Sequence, residues 1–346
     1  MRAQLAAALL AVAGARALNV VVAGATGRTG RLVVQKLLTQ GHSVTALCRS
    51  KANAAERLPP SAALQCVEVD FATSDADAMR AACSGADRLL WCAAGFTEEG
   101  ELIDVKAMRA LPSLFAAGAP AGAPPSVVML SSAGVTRTQW DEAKKLRLLG
   151  AADIPIIRLN PGGILEKKCE AEALLRASGA PYCIVRPTGL KFDGWPRGRP
   201  VLSQGDVAVG RTNAMDLADV LVGVLTEPSA TGKTFEMFTL AGYPAARSLD
   251  ATLSRLAPDA AGPPAEAEVE ATYRTLQQLL PGEEQDATKL EMGRTYEMVD
   301  SGAVAARVPG AASTEREKQL AASVAAGSEG TGSSPVRSLL KKIFRG

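Results

Sequence analysis

From Leu18 to about Gly242 the chain alternates short runs of β-branched and other apolar residues with longer stretches that are apolar on one helical side. That alternation marks a parallel sheet covered by helices: a strand buried on both faces is apolar throughout, whereas a covering helix is apolar only toward the sheet. Strands are predicted at 19–23, 43–48, 64–69, 88–92, 127–130, 154–158, 182–185 and roughly 234–238. The predicted fold class is α/β, a doubly wound parallel sheet in one domain over residues 18–245. Beyond it the pattern weakens. Helical stretches at Leu249 to Leu256 and Val269 to Leu280 predict a small helical extension over 246–300. Residues 301–335 are rich in Gly, Ala and Ser, with too few large apolar side chains to offset ordering entropy, and are expected to be a disordered linker. The last stretch, 336–346, places Val336, Leu339, Leu340, Ile343 and Phe344 on one helical side and basic residues on the other. It is a candidate for contact with a membrane surface or an acidic protein.

Composition narrows the function classes. With 346 residues, 47 % of them apolar, the chain can bury a sizeable core. The net charge is +2, but residues 335–346 carry four basic and no acidic side chains, so the rest sums to −2 and is no nucleic-acid binder by charge. The six cysteines, Cys48, Cys66, Cys83, Cys92, Cys169 and Cys183, are scattered singly without metal-ligand spacing. No metal is expected. The one histidine, His42, stands in the turn Gln40-Gly41-His42-Ser43 and is read as solvated; its isolation argues against Ser/His/Asp or Cys/His hydrolysis. At the start, Met1-Arg2, an apolar run from Leu5 to Ala13 and Ala15-Arg16-Ala17 have the pattern of a targeting leader over 1–17. A plastid or secretory route follows from it, with a cytoplasmic location as the alternative.

The chemistry-bearing motif follows the first strand. Asn19-Val20-Val21-Val22-Ala23 runs into Gly24-Ala25-Thr26-Gly27-Arg28-Thr29-Gly30 and then into a helix with Leu32, Val33, Leu37 and Leu38 on one side. Strand, glycine loop and helix in this order make a dinucleotide site: the glycines allow a tight turn, close approach of the diphosphate and close helix packing, and the helix N-terminus faces the phosphates. At the end of the second strand an NAD site carries an acidic residue for the ribose hydroxyl. This chain has Leu47-Cys48-Arg49-Ser50-Lys51 instead. Arg49, with Arg28 and Lys51 beside it, favours NADP(H) over NAD(H), because a guanidinium pairs well with a 2′-phosphate. Asp70-Phe71 after the third strand stand where an adenine is bracketed, and Ala93-Ala94-Gly95 after the fourth let a cofactor backbone pass close. Asp70 can alternatively cap a helix beginning near Ser74.

The GxxGxxG loop, Val127 to Ser132, Arg158-Leu159-Asn160-Pro161, and Lys168 to Gly179 running into Tyr182 to Pro187 together resemble the NmrA-like, atypical short-chain dehydrogenase/reductase family over about residues 18–242. They are especially similar to members from plants and algae, many of them plastid proteins. The resemblance implies Pro187 among the cofactor-binding residues and a catalytic Ser, Tyr and Lys, the Tyr four residues before the Lys. Ser131 or Ser132 falls in the Ser position and Lys168 in the Lys position, but the residue four before Lys168 is Ile164, which cannot donate a proton. Three readings follow: an NADPH-dependent reductase of an unidentified small molecule, taking its proton from water, Ser132 or substrate; a non-catalytic NADP(H)-binding scaffold or redox-sensing assembly factor; or a vestigial site in which Lys168 is a surface residue paired with Glu172. The segment Phe192 to Pro200 is a candidate substrate cover in which Trp195, Arg197 and Arg199 would receive an aromatic or anionic group. Its alternative is a plain surface loop. Asp216 and Asp219 are read as helix caps.

Overall fold

The apolar runs at the middle of the sheet are strands covered on both faces, with Val20 to Ala23, Leu89 to Trp91 and Val127 to Met129 all buried. The computed structural model describes residues 17–279 apart from 117–119, 121 and 247. The expected leader, linker and basic terminal helix lie outside the described residues. Within them run β1 (Asn19–Ala23), α1 (Arg28–Thr39), β2 (Ser43–Cys48), α2 (Lys51–Arg57), β3 (Leu64–Glu68), α3 (Ala76–Ala82), β4 (Arg88–Trp91), α4 (Ile103–Ala110) and β5 (Val127–Leu130). There follow α5 (Glu142–Arg147), α6 (Leu149–Ala152), α7 (Pro155–Leu159), α8 (Ile164–Ala177), β6 (Tyr182–Pro187), β7 (Gly189–Lys191), β8 (Gly198–Ser203), β9 (Arg211–Asn213), α9 (Ala214–Gly223), β10 (Lys233–Ala241), α10 (Asp250–Leu253) and α11 (Glu266–Leu279).

The main sheet has the order β3-β2-β1-β4-β5-β6-β10-β8. Its strands are parallel except β8, which runs antiparallel to β10, and β7 pairs with β9 in a separate two-stranded sheet. Alternate strand residues face opposite layers. Val21, Ala23, Leu89, Trp91, Val127 and Met129 join α3, α4 and α8 in one core cluster, while Val20, Val22, Leu90 and Val128 join α1 and α9 in the other. The sheet is therefore doubly wound, with strand order reversing direction between β1 and β4, where ligands bind in this architecture. The C-terminal helices dock back onto it: Leu253 enters one cluster and Val269 and Leu276 the other, while Tyr273 Oη accepts a hydrogen bond from Gly150 N at 3.0 Å.

Three expectations need correction. The run at 154–158 is the short helix α7, not a strand: Pro155 at its start presets a helical φ, and β5 pairs directly with β6, leaving no slot between them. The end of the segment read as a loop over Phe192 to Pro200 belongs to β8, which runs Gly198–Ser203. Proline is tolerated there because β8 is an edge strand with β10 on one side only. His42 is buried rather than solvated, and its Nδ1 accepts a hydrogen bond from Leu18 N at 3.2 Å, so burial lowers its pKa and favours the neutral ring.

Candidate cofactor-binding site

Beyond the C-terminal ends of β1 and β4 the backbone itself forms the floor of the site. Gly24 has φ +73°, and a Cβ there would come within 2.7 Å of Ala93 N and Cα, so the turn after β1 is seated on the backbone after β4. A Cβ at Gly30 would lie 2.1 Å from Gly24 O, which is why α1 can begin this close to the strand. Gly27 N donates to Gly24 O at 3.0 Å and Arg31 N to Gly27 O at 3.0 Å, closing the loop on itself. No side chain caps α1 and its first turn holds no acidic residue. Its leading amides and the positive end of its dipole are thus left for an anion. The cradle, shaped where no side chain fits, suits a dinucleotide diphosphate. Thr26 and Arg28 are partly exposed along it, and Thr29 is buried.

Around this floor the other predicted residues take different roles. Arg49 is exposed at the end of β2, and Ser50 caps α2 by accepting from Asn53 N at 3.4 Å. Asp70 Oδ1 accepts from Ala72 N at 3.0 Å in a local turn, while the cap of α3 is Asp75, which accepts from Ala78 N at 2.8 Å. The Phe71 ring is buried against Trp91 in an edge-on contact with centroids 4.8 Å apart, so the ring is part of the core. Ala93 and Gly95 are buried and Ala94 is exposed beside Gly24's seat. Pro187 ends β6, where its carbonyl accepts from Ala133 N at 3.0 Å.

Of the positions aligned with catalysis, Lys168 is held in a buried ion pair. Lys168 is not a surface residue paired with Glu172: its Nζ donates to Asp104 Oδ1 at 2.8 Å, and the two side chains are 7 % and 0 % exposed. Asp104 Oδ2 is buried without a hydrogen-bond partner. Lys168 also acts on Cys92, but burial outweighs it and pushes that thiol well up. Ile164 is buried in the core, so nothing at that position supplies a proton. Ser132 Oγ donates to Ala133 O at 3.0 Å and stays partly exposed. Ser131 is buried and makes no well-formed hydrogen bond through Oγ, yet lies near enough to Glu172 to help keep it ionised.

One turn along α8 from Lys168, Glu172 receives Arg186 through two hydrogen bonds at 2.9 and 2.5 Å and Arg176 through one at 2.7 Å. Burial pushes the Glu172 carboxyl up, but these guanidinium groups outweigh it and lower its pKa. The network continues. Asp206 accepts from Gly134 N, Thr136 N and Thr136 Oγ1 at 2.7, 2.9 and 2.7 Å, and the fully buried Arg137 donates to the carbonyls of Asp206, Ala151 and Ala208. Glu236, opposite Arg186 on β10, is pushed up to about 7 by burial and by Asp206, against the pull of Arg186 and Arg137. Asp104, Arg137, Asp206 and Glu236 escaped sequence reasoning. For Asp104, Asp206 and Glu236 the one signal was an acidic residue among apolar neighbours; Arg137 had none.

The segment after β7 is anchored rather than free. Arg197 pairs with Asp216 at 2.8 Å and Asp219 at 2.6 Å, and Asp216 also accepts from Gly198 N at 2.9 Å. The cap of α9 is therefore Asn213, accepting from Met215 N at 2.8 Å, and the two aspartates hold the segment instead. Arg28 of the glycine loop places its guanidinium carbon 3.8 Å from the ring centroid of Phe192. Among the described residues no group of three or more His, Cys, Asp or Glu is arranged to hold a metal ion.

Comparison with known proteins agrees with this geometry. A family described as NAD(P)H-binding matches residues 24–228. An uncharacterised chloroplastic protein of Arabidopsis thaliana is 27 % identical over 233 residues, covering 65 % of this chain and 78 % of that protein. Among solved structures, the oxidoreductase ylbE from Lactococcus lactis superposes with a TM-score of 0.52 at 17 % identity, over 68 % of this chain and 95 % of its own. A candidate NAD-dependent epimerase/dehydratase from Bacillus halodurans gives 0.51 at 20 % identity, over 69 % and 100 %. At such identities these two structures speak to fold.

Proposed function

This chain belongs to the family described as NAD(P)H-binding, and from that premise, with the resemblance to the NmrA-like branch of the atypical short-chain dehydrogenase/reductases, we propose that it is an NADPH-dependent reductase of a small molecule. The observation that carries the reading is the glycine cradle at Gly24 and Gly30, opened toward an uncapped helix N-terminus, with Arg49 rather than an acidic residue after β2. When bound, the reduced dinucleotide supplies a hydride. The amides of α1 would face the diphosphate, and Arg49, a planar and permanently charged fork, would pair with the 2′-phosphate. Arg49→Glu is expected to weaken NADPH binding far more than NADH binding; an equal loss of both would refute the assignment.

The remaining chemistry is the proton. With Ile164 buried where a tyrosine would stand, the donor is water, the substrate or Ser132, whose hydroxyl is the partly exposed one of the pair ending β5. Lys168, neutralised by Asp104, acts as a fixed member of the wall. That pairing also favours the second reading, a non-catalytic NADP(H)-binding scaffold or redox-sensing assembly factor. NADPH consumption measured across quinones, flavins and enones separates the two: binding without turnover on every class removes the reductase. The leader pattern and the chloroplastic relative support a plastid location. Mass spectrometry of the mature N-terminus and imaging of a fluorescent fusion test it. For residues 336–346 the proposal is a peripheral contact with a membrane or an acidic protein, tested by deleting them and comparing membrane association.

A further inference from the structure

The contact between Arg28 and Phe192 joins two parts of the molecule that the chain order keeps far apart. Arg28 is the first residue of α1, at the mouth of the glycine loop. Phe192 is the residue after β7, on chain that continues directly from β6. In the sheet, β6 lies on the other side of β1 from β2, beyond β4 and β5. The end of β2, with Arg49, is where the adenosine ribose and its 2′-phosphate belong in this architecture. Arg28 is therefore drawn toward the half of the site away from the 2′-phosphate.

Resting on the proposed dinucleotide binding, we propose that Arg28 serves the diphosphate bridge common to NADP(H) and NAD(H), and that Phe192 is the positioning residue that holds its guanidinium there. A guanidinium lying on an aromatic face has its flat side covered and its donors in the plane of the ring stack. Phosphate oxygens are recognised by that edge. Held against the ring, the guanidinium would offer donors beside the α1 N-terminus, where the diphosphate would lie. It also ties the cofactor to the segment that follows. Phe192 is three residues from Trp195, whose carbonyl accepts from Asn213 Nδ2 at 2.7 Å, and five from Arg197, which is clamped by Asp216 and Asp219.

The test is titration of the full chain with NADPH and with NADH, followed by calorimetry and by quenching of tryptophan emission. Phe192→Ala is expected to weaken both dinucleotides by the same factor, about three- to tenfold for loss of one stacking partner, with the melting temperature unchanged. Arg28→Ala is expected to weaken both by about tenfold or more, and Phe192→Trp to restore wild-type binding. Arg49→Glu, in contrast, is expected to weaken NADPH far more than NADH. Loss of NADPH affinity with NADH affinity intact in Arg28→Ala would overturn the assignment to the diphosphate. Unchanged binding of both dinucleotides in Phe192→Ala would overturn the positioning role and leave the proposed function standing. A wild-type chain that binds neither would overturn both.

Discussion

Separating Asp104 from Lys168 is the perturbation whose size the structure allows us to work out. At 2.8 Å, with an effective dielectric constant of about 20, the attraction between unit charges is roughly 6 kcal/mol. Solvent screens little of it because the side chains are 7 % and 0 % exposed. Desolvation of both groups offsets much of that attraction, so the pair's net contribution is small, but removing one partner strands the other as an uncompensated buried charge at a cost of about 3–5 kcal/mol. Asp104→Asn and Lys168→Met should each lower the unfolding free energy by that much, read by tryptophan fluorescence as a lower denaturant midpoint at an unchanged slope. The double variant Asp104→Leu with Lys168→Met removes both charges and should return to within about 1 kcal/mol of wild type. Single losses below about 1 kcal/mol, or a double loss equal to the sum of the singles, would refute the reasoning. The double variant has a second use: with stability recovered, any remaining loss of dinucleotide affinity belongs to the charged pair itself and not to unfolding.

Other predictions follow from the loop and from the buried network. Gly30→Ala should destabilise the chain by about 2 kcal/mol or more and abolish dinucleotide binding, since its methyl would lie 2.1 Å from a backbone oxygen that cannot move aside; thermal melts and titration read both effects. Glu236 is held up near 7, so its protonated form contributes stability that is fully present below the ordinary carboxylate value and is lost as pH rises through about 7. Stability should therefore decline toward alkaline pH by roughly 1 kcal/mol per pH unit within that window, and Glu236→Gln should flatten the decline. Glu172, whose pKa is lowered, has the opposite sign: its contribution is present above the ordinary carboxylate value and is lost as pH falls below it. Acid unfolding that begins at the same pH in wild type and Glu172→Gln would contradict this.

What was legible in the sequence is what local pattern determines. The run Asn19–Ala23 followed by three spaced glycines and a one-sided helix can form little else, and β1, the loop and α1 lie where that pattern puts them. The run at 154–158 misled because Ile156 and Ile157 look like strand residues, and only the direct pairing of β5 with β6 excludes a strand between them. Gly198 and Pro200 read as a turn until β10 offers one side for pairing and solvent the other. Legibility was lowest for charge. Nothing local in Ile103–Ala110 says that Asp104 meets a lysine on another helix, and Arg137, buried among three carbonyls, looks in sequence like any surface arginine. Such partners are set by how α4, α8 and the strands come together. Propensity and spacing carry no record of it.

The seat of Gly24 on Ala93 has a consequence for how this chain can change over time. Where two stretches of backbone touch with no room for a methyl group, the positions cannot be explored one substitution at a time, because every side chain at Gly24 is both strained and in collision. New preferences for cofactor or substrate must then arise at the margins, at side chains such as Arg49, exposed at the end of β2, and Phe192, which lies against Arg28 of the loop. The floor acts as a fixed datum against which those margins are free to vary.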